Sequence, residues 1–61
     1  MDLWELVVGA RVKLKGDVIA EVILPTEDGA WIQARYFEAP GIFGLVGTED
    51  LCGADEILGP A

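Results

Sequence analysis

Arg11-Val12-Lys13-Leu14-Lys15 alternates strictly, with Val12 and Leu14 on one side and three cations on the other. Period-two alternation of this kind predicts a half-buried strand. Gly9 before it and Gly16-Asp17 after it supply turn chemistry. Val18 to Leu24 is a β-branched run in which Val18, Ala20, Val22 and Leu24 share one face and Ile19, Glu21 and Ile23 the other. Pro25 ends that strand because it cannot donate to a central ladder. Thr26-Glu27-Asp28-Gly29 predicts a hairpin turn, since Asp-Gly tolerates positive φ. The returning strand runs from Trp31 to Phe37. Ile32, Ala34 and Tyr36 read as its core side, because Trp31, Gln33, Arg35 and Phe37 put polar groups on the other.

The second half is less regular. Glu38-Ala39-Pro40-Gly41 reads as a loop, and the glycine-broken apolar stretch Ile42 to Thr48 as a short bent strand. Glu49 to Gly53 suits a single 3₁₀ turn. Ala54 to Leu58 reads as a closing strand, with Gly59-Pro60-Ala61 as a tail. Leu3 to Val8 is ambiguous: Leu3, Leu6 and Val7 have helical spacing, but Gly9 truncates a helix and Val7-Val8 favours strand. The expectation is one all-β domain over residues 1–61, with its core in roughly 7–58.

Five short strands, a long hairpin formed by the second and third, and a 3₁₀ turn before the last resemble a small five-stranded SH3-like barrel. The residues that carry the resemblance are Val8 to Leu14, Ala20-Glu21-Val22, Trp31 to Tyr36, Asp50-Leu51 and Glu56-Ile57. The pattern is similar to that of small uncharacterised bacterial SH3-like proteins and, more loosely, of KOW-type barrels. Such a fold hosts many functions and selects none. Eukaryotic SH3 domains carry an Ala-Leu-Tyr-Asp-Tyr-type motif, which this chain lacks. Type II dihydrofolate reductases carry a Val-Gln-Ile-Tyr strand, where this chain has Leu45-Val46-Gly47-Thr48.

Composition narrows the function further. The 61 residues contain no histidine, serine or asparagine, and one cysteine, Cys52. Histidine supplies much of the acid–base chemistry available near neutral pH, so catalysis is not expected. An internal disulfide is impossible and an ordinary zinc site is not expected. The pairs Glu27-Asp28, Glu49-Asp50 and Asp55-Glu56 lack the ligand spacing of a calcium loop, so they read as solvated turn residues and no metal or cofactor is expected. Gly41, Gly44 and Gly47 recur without a following cation or helix, which argues against a phosphate loop. Cys52 reads as a buried, inert thiol, with nearby acids raising its pKa. No stretch approaches the roughly 20 apolar residues of a membrane span. The acidic start does not resemble a signal peptide, and with a lone thiol this points to the cytoplasm.

Eleven acids against four bases give a net charge of −7. That balance keeps an apolar domain soluble and disfavours phosphate backbones. Hydrophobic residues nevertheless make up 52% of the chain, more than a core this small needs. The expected contact surface combines Trp31 and Phe37 on the outer hairpin face with Ile42, Phe43 and Leu45 beside the Pro40-Gly41 loop. Against this, Phe43 and Leu45 also suit a cap over an open end of the barrel. The sequence therefore predicts a non-enzymatic binding or assembly module whose partner is a protein, including another copy of itself. The alternative is a KOW-type nucleic-acid barrel using Arg11, Lys13, Lys15 and Arg35.

Overall fold

The alternation at the start of the chain folds as its spacing demands. In the computed structural model, which describes residues 2–42 and 44–61, β1 spans Arg11–Leu14 and buries Val12 and Leu14. The chain reverses over Lys15-Gly16-Asp17, where both Gly16 (φ 78°) and Asp17 (φ 61°) are left-handed. Aspartate is among the few side chains that tolerate this region. β2 (Val18–Leu24) and β3 (Trp31–Glu38) follow as the predicted hairpin. Val22, Ala20 and Val12 are fully enclosed, and Ile32 and Ala34 are 1% exposed. The hairpin loop is held by Thr26, whose Oγ1 accepts from Gly29 N at 2.7 Å, and by Asp28, whose Oδ1 accepts from Ala30 N at 2.9 Å.

Two bulges decide which way the hairpin's side chains face. Val22 pairs with Ala34, but the next pairing is Leu24 with Gln33, so Ile23 is an extra residue on β2. A one-residue slip sends every later side chain to the opposite face. Leu24 therefore does not share the buried face of Val18, Ala20 and Val22, as the alternation predicts, but is 56% exposed on the outer face. A second bulge lies at Phe37, between the pairs Ala20–Tyr36 and Ile19–Glu38.

The second half corrects the sequence reading. Among the described residues, Ile42 and 44–48 do not form a strand but belong to tight turns, closed by Ile42 N to Ala39 O, Leu45 N to Ile42 O and Thr48 N to Leu45 O. Glycines at 41 and 47 take the left-handed conformations that such a path requires. The predicted 3₁₀ turn at 49–53 is instead β4, Glu49–Gly53. An edge strand accommodates acids that would be poor choices inside a sheet. A tight turn over Ala54–Glu56 leads to β5, Ile57–Pro60, so the last strand starts later than predicted. The 3₁₀ helix lies at the other end of the chain, over Leu3–Glu5. There Asp2 Oδ1 accepts from Trp4 N at 3.0 Å, and Leu3 and Leu6 plug the core.

All five strands are antiparallel, in the order β4-β3-β2-β1-β5. β4 and β5 are consecutive in the chain yet lie at opposite edges, so hydrogen bonding does not close the sheet. Both edges are blunted. On β4, Leu51 N donates to Asp50 Oδ1 at 2.8 Å and Gly53 N to Glu56 Oε2 at 2.6 Å. On β5, a register shift, Gly59 and Pro60 interrupt the ladder. Such devices deny another strand a template. Among the described residues, no helix is long and apolar enough to cross a membrane.

Candidate contact face

Because β4 pairs with β3, positions 49, 51 and 53 share the face of Arg35, Gln33 and Trp31. The Leu24–Gln33–Leu51 row crosses three strands and brings two leucines to either side of one amide. Trp31 lies beside them at the start of β3, opposite Gly53. A Cβ at Gly53 would sit 2.8 Å from Asp55 Oδ1 and 3.1 Å from Trp31 Cζ3, so the absence of a side chain there leaves room for the indole. Leu24, Trp31 and Leu51 are 56%, 51% and 59% exposed. They surround a shallow depression of about 240 Å³ whose rim includes Pro25, Glu27 and Asp28. This is an apolar surface on rigid strands with acids at its margin.

Of the four described residues among the five expected to form the contact surface, only Trp31 lies at this depression. Phe37 is exposed on the same sheet but at the far end of β3, with the Arg11 guanidinium carbon 4.0 Å from its ring centroid. That is a cation–π contact. Ile42 is exposed in the turn segment and does not belong to the sheet face. Leu45 is partly buried against the core. It lines a second cavity of about 210 Å³ with Leu14, Val18, Tyr36 and Cys52. That packing is the one a cap over the core would have. Phe43 lies outside the described residues. Leu24 and Leu51 escape sequence reasoning for separate reasons: nothing in the local sequence marks the bulge, and Leu51 sits in a segment that reads as a turn. Alternation of Leu51 with inward Cys52 is the one signal that points to it.

A row of alternating charge crosses the middle of the outer face. Arg11 pairs with Glu21, Glu21 with Arg35 and Arg35 with Glu49, one residue from each of β1 to β4. Arg35 Nη2 donates to Glu49 Oε2 at 2.8 Å, and Gln33 Nε2 donates to Glu49 Oε1 at 3.0 Å. The hydrogen bond from Arg35 holds the Glu49 carboxyl below its ordinary value, and the same contact raises Arg35. Glu21 is half-buried and makes no ion pair among the described residues. The cations proposed for nucleic-acid contact are thus interleaved with acids, and Lys15 lines the second cavity instead.

At that second cavity, burial pushes the Cys52 thiol up, with Glu56 and Asp50 adding to it. Burial likewise raises the Tyr36 hydroxyl, followed by the charges of Cys52, Asp50 and Glu56. Both groups are neutral at physiological pH and behave as packing residues. The acid pairs have identified work in turns, at the β4 edge and in the Arg35 ion pair. Among the described residues, no group of three or more acids and thiols is placed to hold a metal. Comparison with protein-family models, with curated proteins and with solved structures finds no match.

Proposed function

We propose that this chain is a contact module without catalytic chemistry of its own, a cytoplasmic domain of SH3-like architecture that binds a protein through its outer sheet face. The observation that carries this reading is the side-by-side exposure of Leu24, Trp31 and Leu51 on three adjacent strands. Keeping such groups in water forgoes roughly 25 cal/mol for every Å² left unburied. Aromatic side chains of this type anchor many protein interfaces. The blunted edges of β4 and β5 favour docking on the face over strand addition. The nucleic-acid alternative has less support, because Arg35 is engaged by Glu49 and Arg11 lies over Phe37.

A photo-activatable residue at Gln33, in the floor of the depression, tests this in cells. Protein adducts are expected from position 33, not from Lys15 in the β1–β2 turn, and Trp31→Ala should abolish them. Equal adduct formation from both positions, or none from either, would refute the proposal.

A further inference from the structure

We infer that the occupant of the outer face is a second copy of the same chain, docked about a two-fold axis that runs parallel to the strands between β2 and β3. The inference rests on the contact reading above and adds the partner's identity. Its basis is the row Arg11–Glu21–Arg35–Glu49, whose signs alternate across β1 to β4.

A two-fold axis lying in a face-to-face interface has two simple orientations relative to this row. If it lies along the row, each residue meets its own counterpart, so Glu21 faces Glu21 and Arg35 faces Arg35. Like charges opposed in this way disfavour that packing. If the axis lies along the strands, β2 of one copy covers β3 of the other. Glu21 then faces Arg35 of the second copy, and Arg35 faces its Glu21. Glu21, half-buried and without an ion pair among the described residues, gains a partner in this arrangement.

The same operation brings apolar groups together on the Trp31 side of the row. Trp31, at one end of β3, comes over the Leu24–Pro25 end of the other copy's β2. At the opposite end, Glu38 of one copy comes over Ile19 of the other, with Phe37, the bulge residue, beside it. A surface that is its own complement under a two-fold rotation is what an isologous dimer requires. The charges set the axis and the register, while the apolar flank provides the attraction.

The size of the face limits the strength of the dimer. Four strands about 4.8 Å apart, each contributing about six residues of about 3.3 Å, offer roughly 400 Å² per copy. That is about half of what each partner contributes to a standard interface, so the dimer is weak and reversible. The net charge of −7 on each copy also opposes association, so added salt should strengthen it by screening.

Sedimentation equilibrium of the wild-type chain, Glu21→Arg, Arg35→Glu and their equimolar mixture tests the geometry. Wild type should dimerise with rising concentration. Each variant alone should lose about tenfold or more in association, a lower bound for the two opposed like-charge pairs that the two-fold creates. The mixture should recover it. In the mixed dimer the Glu21→Arg chain presents a cation at both positions and the Arg35→Glu chain a carboxylate at both, so each of the two contacts joins opposite charges. Leu24→Ala, which leaves the core untouched, should also weaken the dimer and carries the test if either charge variant fails to fold. A chain that is monomeric up to about 1 mM, a dimer indifferent to Leu24→Ala, or folded variants whose mixture is not restored would each overturn the inference. A monomer that still gives Trp31-dependent adducts to a different protein from position 33 would overturn self-association alone and leave the contact face standing.

Discussion

Leu24→Ala and Val22→Ala form a pair that tests the β2 bulge. Simple alternation makes the two residues equivalent, whereas the structure leaves Val22 fully enclosed and Leu24 56% exposed. Val22→Ala removes two buried carbons at about 0.8 kcal/mol each and leaves a cavity, for a cost of roughly 2–3 kcal/mol. Leu24→Ala removes three carbons, but from a site mostly in water, and should cost only about 0.5–1 kcal/mol. Had Leu24 pointed inward, its truncation would cost about 2–5 kcal/mol. A chain of this length has a total stability on the order of 3–9 kcal/mol, so the difference is large relative to the whole. Urea unfolding followed by far-UV circular dichroism reads it without relying on Trp31, which neighbours Leu24. With a slope of about 1 kcal/mol/M, the midpoint should fall by about 2–3 M for Val22→Ala and by under about 1 M for Leu24→Ala. Equal costs would refute the bulge and, with it, the apolar depression.

Three further outcomes are expected. Gly29 has φ 84°, and a Cβ there would lie 2.7 Å from Trp4 Nε1. Gly29→Ala should cost about 1–2 kcal/mol, chiefly from the backbone because the indole can swing aside, and should red-shift Trp4 emission in a Trp31→Phe background. Asp50→Ala removes the acceptor that occupies Leu51 N on the β4 edge. It should promote strand-edge aggregation, seen by light scattering, and Asp50→Asn, which keeps a carbonyl acceptor, should do so less. The third concerns pH: because the Glu49 carboxyl is lowered in the folded chain, its ion pair contributes stability above the ordinary value of 4.5 and loses it as pH falls through the lowered one. NMR titration should show Glu49 returning toward 4.5 in Arg35→Gln, and an unchanged Glu49 would exclude Arg35 as the cause.

The first half of the fold was legible because period-two alternation is a local property. Val12, Leu14, Val18, Ala20, Val22, Ile32 and Ala34 all occupy the buried face their spacing assigns. The second half was not, because its apolar and acidic segments exchange their usual roles. Ile42 to Thr48 is apolar enough for a strand, but its described residues are closed into turns. Glu49-Asp50 looks like a turn but forms an edge of the sheet, where side-chain carboxylates accept from backbone N–H groups that no neighbouring strand reaches.

The same division runs through the candidate site. Sequence alone determined an all-β chain with an acidic surface, a surplus of apolar residues and an outward-facing Trp31. Those features depend on composition and on neighbours a few positions away. Tertiary structure decided which other residues join Trp31. Leu24 reaches it only because Ile23 is left unpaired, and Leu51 only because β4 pairs with β3 in that register. Both depend on hydrogen bonds between residues distant in the chain, so no local pattern encodes them. The alternating row from Arg11 to Glu49 arises in the same way, from four strands whose registers align.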